Sequence, residues 1–315
     1  MAKVACIGAG TVGSAWAVAF ARAGHDVTLY DALPETVTDF AMPRISQILD
    51  DLERQVPLGV DPSRLLARVQ PCINLEQAVA QTEFVQESIR EDVDIKRDLF
   101  GQVSQVAPAS ALLMSSTSAI RGSLFLTEIA GPERALVAHP VNPPSHIPLV
   151  ELCTTGLTSA DTIERARTFF RAAAMEPVVL NKEIEGFLLN RLQYTLVAEA
   201  MHLVGEGYCT PEDIDKVLTS GLALRWVSIG PFMTAHLNAQ GGFAGFVEQL
   251  GPMMRKMGQD AQTNYGWTPE QIAEIHDRMS AQQPVQSIPA AQTWRDKRIL
   301  KTRALQASDA PPRDV

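Results

Sequence analysis

Short apolar runs alternate with helical patterns at the start of the chain. The run Lys3–Ile7 ends at a glycine and is typical of a buried strand. A pattern rich in Ala, Val and Phe follows over Thr11–Ala23 and closes near Gly24, which favours a helix. A second alternating run spans Asp26–Tyr30. Strand, helix and strand at this spacing predict a βαβ unit with two parallel strands.

The same alternation continues through residue 182. Further strands are predicted at Phe84–Gln86, Leu112–Ser115, Ala135–Ala138, Val150–Leu152 and Pro177–Leu180. Helices are predicted between several of them, at Leu75–Thr82, Val93–Val106 and Thr162–Ala174. Strands separated by helices indicate a doubly wound α/β domain of the Rossmann type.

After Lys182 the pattern becomes helical. Helices are predicted at Phe187–Gly205, Pro211–Leu222, Gly242–Met257 and Pro269–Ala281. The segment after about Ser308 is rich in Pro and charge and is predicted to fray. We therefore expect a Rossmann-type nucleotide-binding domain over residues 1–182 and an all-α domain for substrate binding and dimerisation over residues 183–315.

Composition and charge narrow the functional classes. The chain has 315 residues, 46% of them hydrophobic, and a formal net charge of −9, which does not favour a nucleic-acid binder because phosphate neutralisation needs clustered Lys and Arg. The cysteines Cys6, Cys72, Cys153 and Cys209 form no C-x-x-C pair, so neither a zinc site nor a disulfide framework is expected. No signal-peptide pattern or membrane-spanning run is visible. We expect a cytoplasmic protein.

The first strand and helix are joined by a glycine-rich loop, Gly8–Gly13, of the form G-x-G-x-x-G. Gly8 permits the tight turn, Gly10 lets the backbone approach a pyrophosphate, and Gly13 lets the helix pack closely on the strand. The helix N-terminus then offers free N–H groups to the phosphates. The alternative is a glycine-rich turn with no ligand.

Asp31 ends the second strand, about 20 residues after the loop. A carboxylate there accepts hydrogen bonds from ribose hydroxyls and repels a 2′-phosphate, which favours NAD over NADP. The loop alone does not decide between NAD and FAD. The expected cofactor contacts are Gly8, Gly10, Thr11, Val12, Gly13 and Asp31.

Four polar residues lie near strand ends or helix starts: Ser118, His139, Glu151 and Asn190. Each also has a structural interpretation. Ser118 could be a helix cap, His139 a buried structural histidine, Glu151 a surface charge, and Asn190 a bridge between helices. A zinc site at His139 is not expected, because its neighbourhood lacks acidic or thiolate partners at ligand spacing.

The motifs around these residues resemble the 3-hydroxyacyl-CoA dehydrogenase superfamily along nearly the whole chain, and within it the branch of lambda-crystallin and L-gulonate 3-dehydrogenase. The motifs that carry the resemblance are HPVNPP at His139–Pro144, IPLVEL at Ile147–Leu152, GFLLNRLQY at Gly186–Tyr194, HLN at His236–Asn238 and TWRD at Thr293–Asp296. In the branch that uses CoA, the histidine segment is closer to HFFNP.

The resemblance implies an NAD-dependent dehydrogenase acting on a 3-hydroxyl group. His139 would remove the hydroxyl proton, since imidazole changes protonation state near neutral pH. Glu151 would orient the imidazole and stabilise the imidazolium. Ser118 and Asn190 would hydrogen-bond the substrate oxygen, and Asn142 would contact the substrate.

The resemblance also implies two further cofactor contacts and a partner. Glu91 and Lys96, in the segment EDVDIK, are expected to touch the cofactor. Relatives pair through the helical domain, so a homodimer is expected.

The substrate class depends on the segment Glu35–Gln70, which helps to hold CoA in CoA-using relatives and tends to be lysine-rich there. In this chain the segment contains no lysine, and its four arginines are outnumbered by six acidic residues. We therefore favour a free hydroxy acid such as L-gulonate. Arg225, in a segment resembling that branch, is expected to bind the acid; Arg121 is a second candidate.

Two alternatives remain open. The substrate could be a CoA thioester such as 3-hydroxybutyryl-CoA, held by the few arginines available. The protein could also be a crystallin-like structural or NAD-sensing protein with little turnover, although such a role would not require Ser118, His139, Glu151 and Asn190 together.

Overall fold

A computed structural model describes residues 1–261 and 267–308, so the predicted fraying after Ser308 lies outside the described residues. Within them the strands are β1 (Lys3–Ile7), β2 (Asp26–Tyr30), β3 (Val69–Cys72), β4 (Phe84–Glu87), β5 (Leu112–Ser115), β6 (Ala135–Pro140), β7 (Leu149–Cys153) and β8 (Glu176–Leu180).

The helices begin and end as follows: α1 (Thr11–Arg22), α2 (Met42–Gln55), α3 (Pro62–Leu66), α4 (Leu75–Val79), α5 (Val93–Val106), α6 (Ala160–Ala172), α7 (Phe187–Gly205), α8 (Pro211–Val217), α9 (Ala223–Trp226), α10 (Pro231–Leu237), α11 (Gly242–Met257), α12 (Pro269–Gln282) and α13 (Ile288–Ser308). Two π-helical turns, Thr36–Ala41 and Leu218–Leu222, precede α2 and α9.

The strands form one sheet in the order β3-β2-β1-β4-β5-β6-β7-β8. Strands β1 to β6 pair in parallel, β7 pairs with β6 in antiparallel fashion, and β8 is parallel to β7. The carboxyl ends of β1, β4, β5 and β6 therefore meet at one edge, where ligands bind in open α/β sheets. The predicted Rossmann-type sheet is confirmed.

Helices cover both faces of the sheet, so its strands are buried on both sides. Successive residues of β1 go to different cores: Val4 and Cys6 pack on the face that holds α1, and Ala5 and Ile7 on the face that holds α5. This two-residue period explains why the strand is apolar at every position after Lys3.

Two compact units can be distinguished among the described residues: residues 1–190 with 296–304, and residues 191–261 and 267–295 with 305–308. They differ from the expected division at residue 182. Phe187 is fully buried in the first unit's core, and Leu300 on α13 is buried there as well. Burial of these two apolar side chains in its core attaches the segments that carry them to the first unit.

In the described residues of the second unit, helices joined by loops are the regular secondary structure and no strand is found, which confirms the all-α character predicted for the C-terminal part. Its helices leave many large apolar side chains exposed, among them Leu192, Trp226, Phe232, Phe243 and Met253. No helix in the described ranges is both long and apolar enough to cross a membrane.

Candidate active site

The glycine loop after β1 is shaped by two close backbone approaches. Gly8 has a φ of +98°, and a Cβ on it would lie 2.5 Å from the carbonyl oxygen of Ser88. A Cβ on Gly13 would lie 1.8 Å from the carbonyl oxygen of Gly8. Side chains at these positions are therefore excluded by the protein itself. A Cβ on Gly10, by contrast, would meet nothing within 4 Å.

Gly10 is the N-cap of α1 and makes no side-chain cap. The first N–H groups of the helix, including those of Thr11 and Val12, are thus available to a ligand, and the helix dipole places partial positive charge there. Open space at Gly10 together with an uncapped helix start suits a dinucleotide pyrophosphate.

Asp31 lies directly after β2 and faces the same loop. Its Oδ2 accepts a hydrogen bond of 2.8 Å from the amide of Ala9, and its Oδ1 accepts one of 3.1 Å from the amide of Leu33. The carboxylate is thereby held beside the glycine loop, where a ribose would be expected.

His139 and Glu151 form the central polar pair of the site. They are register partners on the antiparallel strands β6 and β7, so their side chains lie on the same face. The Nδ1 of His139 donates to Oε2 of Glu151 at 2.8 Å. The two residues are only 5% and 2% exposed. Since Nδ1 is engaged, Nε2 is the nitrogen that can accept a proton.

The second oxygen of Glu151 is held by the start of α7. Its Oε1 accepts hydrogen bonds from the amides of Leu188 at 2.8 Å and Leu189 at 3.0 Å. A helix N-terminus stabilises a carboxylate charge. Phe187, with a φ of +50°, packs on the His139 ring at 5.4 Å between centroids. Left-handed backbone at a bulky residue is strained, and here it aims the two amides at Glu151.

Ser118 and Asn190 are brought together by the turn after β5. The Oε1 of Glu91 accepts hydrogen bonds from Thr117 Oγ1 at 2.6 Å, Ser118 N at 2.8 Å, Ala119 N at 3.2 Å and Ser118 Oγ at 3.3 Å. The side-chain amide of Asn190 donates to the carbonyl oxygen of Ser118 at 2.6 Å. Glu91 therefore fixes the turn that carries Ser118, and the first turn of α7 is attached to it.

Lys96 lies beneath this turn, on α5, and is only 1% exposed. Its Nζ is 2.7 Å from Oε1 of Glu87 and 3.4 Å from Oε2 of Glu91. Glu87, at the end of β4, also accepts hydrogen bonds from Ser115 Oγ and, at 2.7 Å, from the amide of Ile89. A buried lysine is tolerable when its charge is paired in this way.

The carboxyl groups of Glu87 and Glu91 respond differently to these surroundings. Burial raises the pKa of Glu87, although the charge of Lys96 and the hydrogen bonds oppose the rise. For Glu91, partial burial would raise the pKa, but the hydrogen bond from Thr117, the charge of Lys96 and the backbone amides together lower it below the ordinary value. Glu91 is therefore ionised across the neutral range.

Ser116 links helix α1, which follows the glycine loop, to the turn after β5 that carries Ser118. Its Oγ accepts hydrogen bonds from Trp16 Nε1 at 3.0 Å and Gln86 Nε2 at 2.7 Å, and lies 2.9 Å from Ser88 Oγ. Functional roles for Glu87, Gln86 and Ser116 were not predicted from the sequence. The available signal was two polar residues, Gln86 and Glu87, within a buried strand, which is unusual without partners.

The three remaining candidates for substrate binding, Asn142, Arg121 and Arg225, take no part in the hydrogen bonds described above. Asn142 is exposed in the loop between β6 and β7, in a cis peptide with Pro143. Arg121 is exposed just after the turn that carries Ser118. Arg225 is exposed on α9 of the second unit. Within the described parts of the chain, no cluster of three or more His, Cys, Asp or Glu side chains could hold a metal ion.

Comparison with known proteins identifies the family. Residues 3–184 match the family model for the 3-hydroxyacyl-CoA dehydrogenase NAD binding domain, and residues 186–274 match the model for the C-terminal domain of the same enzyme family. Lambda-crystallin of Oryctolagus cuniculus is 34% identical over 316 residues, covering 98% of this chain and 97% of the relative. L-carnitine dehydrogenase of Streptomyces coelicolor is 35% identical over 285 residues, covering 89% and 85% respectively.

A solved structure agrees with these relatives. The 3-hydroxybutyryl-CoA dehydrogenase of Escherichia coli superposes with a TM-score of 0.68 at 27% identity, covering 86% of this chain and 56% of that one. The resemblance noted in the sequence is confirmed, and so is NAD as the cofactor. The chain belongs to the 3-hydroxyacyl-CoA dehydrogenase family of NAD-dependent oxidoreductases.

Proposed function

We propose that the protein oxidises the 3-hydroxyl group of a free hydroxy acid, as an enzyme of the L-gulonate 3-dehydrogenase type, with His139 as the base. The observation that carries this proposal is the buried His139–Glu151 pair, whose carboxylate is anchored at the start of α7. A histidine held by a carboxylate on one nitrogen is arranged to take a proton on the other.

In this reaction, Nε2 of His139 accepts the proton of the 3-hydroxyl as the C3–O bond becomes a carbonyl. NAD, when bound, supplies the hydride acceptor for C3. Glu151 stabilises the positive imidazolium that results, and α7 stabilises Glu151 in turn. Ser118 Oγ and the Asn190 side chain hold the reacting oxygen of the substrate.

Glu91 and Lys96, both expected at the cofactor, differ in whether they can reach it. The Glu91 side chain is 39% exposed, so it can touch a bound cofactor directly. Lys96 is buried and meets Glu87 and Glu91 instead. We therefore assign Lys96 a positioning role that acts through Glu91 on the Ser118 turn.

Three of the four arginines of residues 35–70 are already engaged with other side chains, which supports a free acid over a CoA thioester. Arg54 pairs with Asp51, and Arg68 pairs with Asp26 at 3.0 Å. Arg44 lies over the ring of Phe40, 5.7 Å from its centroid. Basic residues already engaged in this way have less to offer to the phosphates of CoA.

A second free acid is favoured by the relatives. L-Carnitine is a 3-hydroxy acid with a quaternary ammonium group, and L-carnitine dehydrogenases are 34–37% identical to this chain. Quaternary ammonium groups are typically recognised by aromatic side chains through cation–π interactions. The 3-hydroxybutyryl-CoA alternative is kept because the family also includes thioester dehydrogenases.

Arg225 is proposed to bind the substrate carboxylate through paired N–H donors. Replacing it by alanine should raise the KM for the acid while changing kcat little, because a carboxylate contact is made equally in ground and transition states. An unchanged KM for every acid substrate would remove Arg225 from the site. Arg121→Ala provides a matched comparison for the second candidate.

Replacing His139 by glutamine separates an enzyme from a structural or NAD-sensing protein. An enzyme should lose turnover by at least about 100-fold, as expected for a general base, while NAD still binds. Unchanged turnover would contradict the assigned base. No turnover in the parent protein with any hydroxy acid or thioester would support the crystallin-like alternative.

We further propose a homodimer formed through the helical unit. Among described residues 191–261 and 267–295, only Ala198, Pro211, Thr234 and Gly251 are buried, while large apolar side chains such as Phe232 and Met253 are exposed. Apolar surface of this extent is usually covered by a partner. A monomer in light scattering would contradict the proposal. The cytoplasmic location stays a prediction.

A further inference from the structure

A cavity of about 220 Å³ lies at the far end of α1 from the glycine loop. It is lined by the C-terminal ends of α1 and α6, by the segment before α3 and by part of the loop between β6 and β7. Arg22 and Arg303 are the only charged residues of its lining, and no acidic residue takes part in it. The volume is below the roughly 300–1,000 Å³ of pockets for drug-sized ligands, which favours a small ligand.

Each arginine is attached to the loop between β6 and β7. Arg22 Nη1 donates to the carbonyl oxygen of Ser145 at 3.2 Å, and Arg303 Nη1 donates to the carbonyl oxygen of His146 at 2.6 Å. A guanidinium has five N–H donors, so most donors of both side chains remain for another acceptor. Among the described residues, neither arginine forms an ion pair within 4 Å.

The two positive charges are only partly compensated. The C-termini of α1 and α6 contribute roughly half a negative charge each, and Glu176 acts on Arg303 from beyond ion-pair distance. Arg22 is exposed as a whole residue, yet desolvation of its guanidinium group at the cavity lowers its pKa, and the nearby charge of Arg303 lowers the pKa further. Two guanidinium groups brought together with this little compensation are typical of oxyanion recognition.

We propose that this cavity is a binding site for a small oxyanion, a phosphate group, held between Arg22 and Arg303. The site is separate from the cofactor site, because the twelve residues of α1 place Arg22 roughly 16 Å from the glycine loop at 1.5 Å per residue. The bound anion would steady the loop whose flanking strands carry His139 and Glu151. The binding itself does not depend on the proposed function.

The test is phosphate binding by calorimetry and by thermal unfolding, with the protein saturated in NAD so that the glycine loop is occupied. Potassium phosphate is compared with potassium chloride at equal ionic strength. Arg22→Gln and Arg303→Gln should each weaken phosphate binding by about tenfold or more, since each removes charge-assisted hydrogen bonds. Arg171→Gln, which removes an exposed charge from the neighbouring α6, should leave it unchanged.

Two further sets of measurements identify the source of the anion and keep the test valid if a variant misfolds. Glycerol 3-phosphate binding at least as tightly as inorganic phosphate would indicate an organic phosphate, and acetate should bind more weakly than either. If a glutamine variant fails to fold, the Arg22→Lys and Arg303→Lys variants keep the charge and should show weakened binding. Hydrogen exchange of the amides of residues 141–147 should slow with phosphate in the parent protein alone.

Two results would overturn the proposal: no phosphate effect beyond that of chloride in the NAD-saturated protein, or an equal loss of phosphate binding in Arg171→Gln. Catalytic activity takes no part in these measurements. A failed search for the substrate would therefore leave them interpretable, and a failed phosphate experiment would leave the dehydrogenase proposal standing.

Discussion

Replacing Glu151 by glutamine tests the His139–Glu151 pair directly. The carboxylate accepts on both sides, from His139 Nδ1 on one oxygen and from the amides of Leu188 and Leu189 on the other. A glutamine side chain has one acceptor oxygen and one NH₂ group. Whichever way it turns, its NH₂ group faces a donor.

The cost can be worked from this geometry. Replacing a charged hydrogen-bond acceptor by a neutral one costs about 1–2 kcal/mol. Losing the attraction between carboxylate and imidazolium costs up to about 4 kcal/mol at 4 Å and an effective dielectric constant of 20. If the glutamine oxygen stays on the α7 amides, its NH₂ group faces Nδ1 of His139. The imidazole then carries its proton on Nε2 and cannot act as the base, a change of tautomer that costs roughly 10⁴ in kcat in a catalytic triad.

We therefore expect Glu151→Gln to lower kcat by about 10³–10⁴ at neutral pH, with little change in NAD affinity. The assay is NAD reduction at saturating substrate, with NAD binding measured separately by calorimetry. Glu176→Gln, an exposed position at the start of β8, is the matched control and should keep full activity. A kcat for Glu151→Gln within about threefold of the parent value would refute the assigned role, since a ΔΔG‡ below 1 kcal/mol is incompatible with this arrangement.

Other predictions follow from the glycine loop, an acidic turn and the helical unit. Gly13→Ala should unfold at a lower temperature even without NAD, because its Cβ meets the Gly8 carbonyl oxygen at 1.8 Å, whereas Gly10→Ala should keep its stability and lose NAD affinity; equal stability losses would contradict this. The lowered pKa of Glu91 contributes stability that is complete above its unfolded pKa and is lost as pH falls through the folded value. The stability difference between the parent and Glu91→Gln should thus shrink from pH 7 to pH 3, and a constant difference would refute it. Changing Phe232, which is 77% exposed, to Glu should dissociate the proposed dimer, and a light-scattering mass equal to that of the parent protein would contradict this.

Much of the sheet could be predicted from hydrophobic patterns. Seven of the strands were expected close to their observed positions, because each is an apolar run bounded by polar or turn residues. The strand β3 was missed. It reads VQPC, is exposed at two of its four positions and pairs only with β2 at the sheet edge, which is where a strand that contains proline is tolerated.

Helices and pairings that depend on tertiary contacts were harder to predict. The α2 helix was not assigned from the sequence, although Ile45, Leu49 and Leu52 are buried along one face at helical spacing. The antiparallel pairing of β6 and β7 was not predicted either. Apolar strand patterns carry no sign of direction, yet this pairing is what places His139 opposite Glu151.

The site was identified through chemistry at strand ends and through family motifs. What those motifs did not reveal is the support beneath Ser118, where Glu87, Lys96 and Glu91 form a continuous chain of contacts. Such networks are assembled from separate segments, and sequence spacing alone does not show which partners meet. The polar residues of β4 were the one usable signal.

NAD reduction with L-gulonate, L-carnitine and 3-hydroxybutyryl-CoA side by side, followed at the nicotinamide absorbance, tests the proposed substrate class. We expect a free hydroxy acid to be oxidised with a kcat/KM at least about 100-fold above that of the thioester, because polar recognition sites discriminate strongly between substrates. Turnover with the CoA thioester alone would contradict this expectation and place the protein among the 3-hydroxyacyl-CoA dehydrogenases of its family.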